Sequence, residues 1–264
     1  AYTHLIKQAK QHFATQSITS QNALIDALLD FEHWDYTVDT TPPVAVMDTR
    51  TQRWRSESSM NKPSGLMDWE ALCEFQHGII GKEAVIVVSA APIYGVKFIE
   101  AIQKVFTFFG KALTVDAENW MAHKGTANVI LNIFRHYKTP PEFIILSGDV
   151  HYSFVYDVRL RFRRNSPHIT QFTCSGLKNA FPEGLIRWLD RLNRMFYGSS
   201  SLLNLFTRRR NMSVKARAPS QGSGELYNGC AIGILKLSDK HQEVICKALL
   251  SSGKEVEFPP IKDD

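Results

Sequence analysis

The sequence predicts an α/β (α+β) fold in which helices cover a mixed β-sheet. In the first part of the chain, short apolar runs alternate with helical patterns, as expected for strands joined through helices. The runs at 83–89 and 143–146 are almost entirely apolar, which indicates strands covered on both faces. From residue 153 onward, polar and apolar residues alternate, as in half-exposed strands. The 264 residues, 44% of them hydrophobic, suffice for one large domain or two small ones.

Residues 1–40 are predicted to form a helical lead-in. Apolar residues recur at helical spacing through the first 33 positions, and Ser20 is a candidate N-cap of the second helix. The following elements are predicted by the same periodicity rules. They are a strand at 44–47, a helix at 68–80, a strand at 83–89, helices at 96–109 and 126–137, and a strand at 143–146.

The second half of the chain is predicted to be rich in β-structure. In the strand that follows Ser153, the side of Val155, Asp157 and Arg159 is expected to be partly exposed. Further strands are predicted at 169–174, 230–237 and 244–250, with a helix at 182–196. The segment 199–224 is rich in Ser, Arg and Gly, and we expect a mobile basic loop there.

A short polar cluster follows the apolar run at 143–146. Gly148, Asp149 and His151 stand at the carboxyl end of this predicted strand, where open α/β sheets place ligands. A glycine lets the backbone turn, so the carboxylate and the imidazole can converge on one metal ion. The alternative is that Asp149 caps a turn and His151 is a hydrogen-bonded histidine with a structural role.

The segment from Leu146 to Tyr152, L-S-G-D-V-H-Y, resembles the closing metal motif of the PhoD-like alkaline phosphatases, within the calcineurin-like phosphoesterase superfamily. Other segments are similar to that family in the same order. They are V-M-D-T-R-T-Q-R at 46–53, V-V-S-A-A-P at 87–92, E-N-W at 118–120 and the strand-like stretch 172–179. The resemblance covers roughly 43–179, with thinner support to 237. It implies that 1–264 is the C-terminal part of a metallophosphatase domain, and its sheet part of the metallophosphatase β-sandwich.

The resemblance implies a metal-dependent phosphoester hydrolase acting on a phosphoester substrate. Asp149 and His151 would be metal ligands, for Fe, Ca, Zn or Mn ions. Asp48, Arg50, Asn119 and Trp120 would orient the site or hold phosphate, since the planar guanidinium of arginine matches phosphate oxygens.

The chain also departs from the family pattern. The opening ligand motifs of that family, D-x-H, G-D-x-x-D and N-H-[ED], have no counterpart here, and Glu118 replaces the usual Asp before Trp120. We therefore expect the native protein to extend upstream of Ala1, and this chain alone to be a weak or inactive hydrolase.

A purely structural role is the alternative for each of the four residues that would orient the site or hold phosphate. Asp48 and Arg50 can form an ion pair at a strand terminus, Trp120 can belong to the core, and Asn119 can bond backbone in a loop. Further histidines are expected to be surface or core residues rather than ligands. They are His77, His123, His136 and His168.

Two other functions compete with hydrolysis. The net charge is +5 and the sequence pI is about 9.0, which suits anionic partners. Arg208, Arg209 and Arg210, with Lys215 and Arg217, form a basic run that is suited to non-specific contact with nucleic acid or another anion. No aromatic residues interleave with this run as platforms for bases, so a solvated loop is the simpler interpretation. The second alternative is a catalytically inactive scaffold.

Cysteine usage and hydropathy limit the location of the protein. The four cysteines are widely spaced without a C-x-x-C pair, and we expect buried thiols of a reducing compartment. This favours the cytoplasm, whereas the family resemblance allows export. No apolar run approaches the roughly 18 residues that span a membrane.

Overall fold

A computed structural model describes residues 2–55, 64–108, 119–161, 166–178, 180–199, 201–222, 224–238 and 243–261. Ten strands lie in these ranges. In chain order they are β1 (Tyr36–Val38), β2 (Val44–Val46), β3 (Ala84–Ser89), β4 (Glu142–Ser147), β5 (Phe154–Leu160), β6 (His168–Thr173), β7 (Met212–Arg217), β8 (Ala231–Leu237), β9 (Val244–Leu250) and β10 (Glu255–Phe258).

Seven strands form one mixed sheet in the order β1-β2-β3-β4-β6-β5-β7. Its centre is parallel, because β2 pairs with β3, β3 with β4 and β4 with β6 in the same direction. The flanks are antiparallel, with β1 against β2 on one side and β5 between β6 and β7 on the other. A second, antiparallel sheet contains β10, β9 and β8.

Six α-helices accompany these strands in the described residues. They are α1 (Tyr2–Thr15), α2 (Ile18–Leu29), α3 (Trp69–Ile79), α4 (Lys97–Phe108), α5 (Lys124–Arg135) and α6 (Glu183–Tyr197). Helix α3 packs against α5, and α4 packs against α6. The prediction of an α/β fold with helices over a mixed sheet is thus confirmed.

Two apolar cores lie on opposite faces of the large sheet. Alternate strand residues such as Val85, Val87 and Tyr156 pack with α3, α5 and α6 in the larger core. Their neighbours on the other face, including Ile86 and Val155, pack with the three-stranded sheet in the smaller core. The molecule therefore has helices on one face of the large sheet and a second sheet on the other.

The start of α2 differs from the prediction. Ser17, not Ser20, is the N-cap, and its side chain accepts from the Ser20 amide at 3.1 Å. Ser20 occupies the third helical position, and its hydroxyl accepts in return from the Ser17 amide at 3.2 Å. Both serines thus belong to one capping box, a motif that satisfies two amides at the helix start.

The segment 199–224 is more ordered in its secondary structure than the prediction of a loop implied. It contains two short 3-10 turns (Leu202–Phe206 and Arg208–Asn211) followed directly by β7, which pairs with β5 over six residues. The loop prediction is wrong for these parts. Strands β1 and β10 were also not predicted, because three or four residues are too few to show periodicity.

An ion pair between β5 and β7 is buried on the face toward the second sheet. The Arg217 side chain is 2% exposed, and it donates through Nε and Nη2 to the two Asp157 oxygens at 2.8 Å each. Its Nη1 also donates to the Val244 carbonyl at 2.6 Å, at the start of β9. Arg217 was predicted to belong to a solvated basic run, and this is wrong, because it links the two sheets.

We predict that Arg217→Ala lowers the free energy of unfolding by about 3–5 kcal/mol, because it leaves the Asp157 carboxylate largely buried without its partner. Urea denaturation of the purified chain measures this loss. Lys215→Ala is the matched control: Lys215 is an exposed cation two residues away on the same strand, so the change is expected to stay within about 0.5 kcal/mol. Equal losses in the two variants would contradict a specific role of the buried pair.

Candidate functional site

The candidate residues gather at one edge of the large sheet. Strands β2, β3, β4 and β6 are parallel, so their carboxyl ends share this edge. Asp48 follows β2, Ser89 ends β3, and Asp149 and His151 follow β4. Because β2 and β4 are separated by two strand spacings, Asp48 lies roughly 10 Å from the Asp149 loop along the edge. This edge is where ligands bind in open α/β sheets.

Asp149 and His151 lie in the loop between β4 and β5, and both are exposed. The backbone of Asp149 has φ 62°, in the left-handed region that favours glycine and tolerates Asp and Asn. The turn was expected at Gly148, whereas the positive φ falls on the carboxylate residue itself. The His151 ring forms no hydrogen bond with any residue that the structure describes, which argues against a hydrogen-bonded structural histidine.

Backbone hydrogen bonds hold the base of this loop against its neighbours. The Gly148 amide donates to the Ala90 carbonyl at 3.1 Å, just beyond β3, and the Cys174 amide donates to the Ser147 carbonyl at 3.0 Å, just beyond β6. The loop therefore leaves the sheet from a position fixed on both sides. Its two polar side chains are presented to solvent above a rigid edge.

Asp48 is almost fully buried, and its contacts close a turn. Its carboxylate accepts from the amides of Arg50 at 2.8 Å and Thr51 at 2.9 Å, and also from the Thr51 hydroxyl. Burial alone would raise the pKa of Asp48, but these hydrogen bonds outweigh it and lower the pKa below its ordinary value of 3.8. Asp48 thus remains a carboxylate at neutral pH and shapes the segment that carries the exposed Arg50.

Trp120 and Asn119 also have internal partners. Trp120 is completely buried, and its indole N–H donates to the Ser89 hydroxyl at 3.0 Å. This burial argues against direct contact of Trp120 with a substrate. Asn119 donates to Gln103 at 2.9 Å and accepts from the Met121 amide at 3.0 Å, as expected for a loop Asn that bonds backbone. Glu118 lies outside the described residues.

Sequence reasoning missed Ser89. This serine ends β3, is buried, and accepts from Trp120 while donating to the Ala91 carbonyl at 2.7 Å. The signal was present, since a serine directly after an apolar strand run stands at the same edge as Asp48 and Asp149. Its hydroxyl holds the Trp120 indole at the end of β3.

Other histidines have roles that the structure shows in part. His123 is the N-cap of α5, with Nδ1 accepting from the Thr126 amide at 3.2 Å, and its ring packs on Trp54 with centroids 4.9 Å apart. His77 is exposed on α3, and the Nε2 atom of His168 lies 3.9 Å from Oδ1 of Asp157. Among the described residues, no group of three or more His, Cys, Asp or Glu is placed to hold a metal ion.

The basic run is divided between surface and interior. Arg209 points inward and donates to the carbonyls of Gly95 at 3.0 Å and Tyr197 at 3.4 Å. Arg209 is half-buried and Arg217 is buried, whereas Arg210 is exposed. The side chain of Arg208 lies outside the described part of the chain. Contact with nucleic acid through this run stays a prediction, with fewer available cations than the sequence suggested.

The four cysteines are free, and only Cys246 is fully buried. Burial raises the pKa of the Cys246 thiol to about 12, so this group is un-ionised at neutral pH. In the ranges that the structure describes, no helix is long and apolar enough to cross a membrane.

Comparison of the chain with models of protein families, with curated proteins and with solved structures finds no match in any of the three.

We predict that stability falls on acidification as Asp48 titrates. Because its folded pKa lies below its unfolded value, its contribution is present above pH 3.8 and lost as pH falls through the folded pKa. Thr51→Val removes one hydroxyl donor, so it should raise the folded pKa of Asp48 and cost about 1–2 kcal/mol at neutral pH. Urea unfolding between pH 2.5 and 7 on a common scale measures both effects, with Asp48→Asn as the variant that lacks the titration. An acid response of Asp48→Asn identical to that of wild type would contradict the assignment.

Proposed function

We propose that this chain supplies part of a metal-dependent phosphoester hydrolase site, in which Asp149 and His151 are metal ligands. The observation that carries the proposal is the loop after β4. It presents a carboxylate and an imidazole, two residues apart and both exposed, from the carboxyl end of a strand buried on both faces. Motif resemblance supports the reaction class, and the edge position supports the location.

The donor set agrees with a transition-metal site but does not complete one. One carboxylate oxygen and one imidazole nitrogen suit Zn, Fe or Mn, whereas Ca prefers oxygen ligands alone. Catalytic metal sites use about three or more protein ligands, so two leave most positions to water, substrate or other protein groups. We therefore propose that the chain on its own binds metal weakly and hydrolyses phosphoesters poorly.

The left-handed backbone of Asp149 has a function in this proposal. The conformation turns the chain within one residue, so that the side chains on either side of Val150 can approach the same ion. A bound metal would lower the pKa of a coordinated water and neutralise charge on phosphoryl oxygens. The chain itself would orient its two ligands and hold the Asp48 turn that carries Arg50 at the same edge, with Trp120 bonded to Ser89 at the end of β3.

We predict that the chain binds Zn²⁺ or Mn²⁺ in a saturable way and that His151→Ala weakens this binding at least about tenfold, because loss of even an outer-shell partner of a metal ligand typically costs about 10–100-fold in affinity. Isothermal titration with each metal measures the affinity. His77→Ala is the matched control, because it removes another exposed histidine from α3, on a different part of the surface. It should leave the affinity unchanged.

Asp149 is tested with a pair of variants that respect its backbone. Asp149→Asn removes the charge but keeps a side chain that tolerates positive φ, and Asp149→Gly removes the side chain without backbone strain. Both should weaken metal binding while leaving the melting temperature within a few degrees. Metal affinity that is the same in wild type, Asp149→Asn and His151→Ala would sink the metal-site proposal and favour the inactive scaffold.

The hydrolase part of the proposal is tested separately with p-nitrophenyl phosphate and bis-p-nitrophenyl phosphate. We expect slow, metal-dependent release of p-nitrophenol that His151→Ala abolishes. Rapid turnover by the isolated chain, lost in His151→Ala, would support the reaction but contradict the proposed incompleteness. Metal binding without any turnover would restrict the proposal to the metal site.

A further inference from the structure

A cavity of about 220 Å³ lies on the helix face of the large sheet, between α6, the Arg208–Asn211 turn, β5 and β7. Its walls combine buried polar groups with few apolar ones. The polar wall includes Tyr156, Asn193, Tyr197, Arg209 and Glu225. Lys215 also borders the cavity, but strand alternation directs its side chain to the opposite face, with Asp157 and Arg217.

The Tyr156 hydroxyl borders the cavity and lacks a hydrogen-bond partner of ordinary geometry among the described residues. Tyr156 is 2% exposed, and its hydroxyl is buried without a hydrogen bond of ordinary geometry to any described residue. A buried hydroxyl without a partner is costly, so such groups in native proteins usually meet a water or a ligand. Because Tyr156 borders the cavity, the missing partner belongs there.

Arg209 supplies the positive charge. Its Cζ lies 5.7 Å from the centre of the Tyr156 ring, in cation–π contact. Its bonds to the carbonyls of Gly95 and Tyr197 use two of its five N–H donors and fix the guanidinium in place. The guanidinium also lies close to the Tyr156 hydroxyl and favours its ionised form, but their geometry falls short of an ordinary hydrogen bond, so both groups can turn to an oxygen-rich anion.

Glu225 is the acidic group of the wall, and its surroundings weaken its charge. Burial raises the pKa of Glu225 above its ordinary value, and the nearby Asp190 raises it further, while Arg194 and Arg209 act in the opposite direction. Glu225 is therefore protonated over a wider pH range than an exposed glutamate. In that form it donates a hydrogen bond to an anion instead of repelling it.

We infer that this cavity binds a small oxyanion of the phosphate or carboxylate class, held by the Arg209 guanidinium and the Tyr156 hydroxyl, with Glu225 as a third, proton-dependent contact. The site is separate from the loop after β4. Strand β5, which carries Tyr156, is two strand spacings from β4 and β7 is three, or about 10–14 Å across the sheet. The inference therefore does not depend on the proposed metal site.

The first test is titration of the full chain with inorganic phosphate, in EDTA so that no metal-bound phosphate contributes. We expect saturable binding and a rise in melting temperature with phosphate concentration, because a ligand of the native state stabilises it. Acetate and sulfate in parallel titrations distinguish carboxylate from tetrahedral oxyanions. Absence of saturable binding of all three anions would overturn the inference.

The second test separates Tyr156 from a general effect of a buried tyrosine. Tyr156→Phe should weaken phosphate binding about tenfold, as expected for loss of one hydrogen bond to a charged ligand, and should not lower the melting temperature without phosphate. Tyr94→Phe is the matched control, because the Tyr94 hydroxyl is also buried without a partner among the described residues but does not border the cavity. Equal effects of the two variants on phosphate affinity would overturn the site. Arg209→Gln should abolish binding, but Tyr156→Phe is decisive because its fold is not in question.

The third test concerns Glu225, with sulfate as the probe because sulfate keeps its charge between pH 5 and 8. The charged and titratable groups around Glu225 are Asp190 and Arg194 on α6, Arg209 on the 3-10 turn and Tyr156 on β5. Sulfate affinity should rise as pH falls and Glu225 takes up its proton. Glu225→Gln mimics the protonated carboxyl, so it should bind sulfate more tightly than wild type at pH 8 and with a flatter pH dependence. A pH dependence unchanged in Glu225→Gln would overturn the role of this residue and the inferred set of contacts.

Discussion

The fold depends on the burial of parallel strands on both of their faces. Strands β3 and β4 lie between the helices on one side and the three-stranded sheet on the other, and their middle residues are almost completely buried. A polar side chain there would lose its hydration without gaining a partner. Polar residues therefore collect where these strands end. Ser89, Ser147 and Asp149 stand at one edge for this reason.

The second sheet is held by a polar contact as well as by apolar packing. Its smaller core contains Val155 and Phe172 from the large sheet and Ala248 and Val256 from the small one. Apolar packing is non-directional, so by itself it does not fix the position of one sheet relative to the other. Arg217 restricts this, because one guanidinium bonds Asp157 in the large sheet and the Val244 carbonyl in the small one. A planar fork with fixed donor directions suits such a link better than an ammonium group would.

The sequence predicted most long elements because their periodicity is set by burial. The helices α3 to α6 and the strands β3, β4, β6, β8 and β9 lie within a few residues of the predicted ranges. Short strands and the direction of charged side chains could not be predicted in this way. Arg217 is identical in sequence character to Arg210, and only the pairing of β7 with β5 decides that Arg217 faces inward. The tertiary partner, Asp157, is 60 residues away in sequence.

The candidate site was predictable in part for the same reason. A buried strand followed by Gly148 and Asp149 indicates that the polar residues lie at the carboxyl end of the strand. Parallel pairing then brings the carboxyl ends of neighbouring strands to the same edge of the sheet. The residue that takes the left-handed backbone could not be read from the sequence, because Gly and Asp both tolerate that conformation. The cavity beside Tyr156 had no sequence signal at all, since its walls come from β5, α6, β7 and a 3-10 turn.

The two candidate sites differ in how a bound ligand would affect the stability of the fold. Asp149 and His151 are exposed, and backbone hydrogen bonds already hold the base of their loop. An ion bound there would therefore order little additional chain. The cavity lies where Arg209 already joins the Gly95 carbonyl before α4 to the Tyr197 carbonyl at the end of α6. An anion that neutralises this half-buried guanidinium offsets part of the cost of desolvating its charge. Its binding energy would therefore act on the packing of α4, α6 and β7 together, so that occupancy of the cavity stabilises the edge of the sheet farthest from β1.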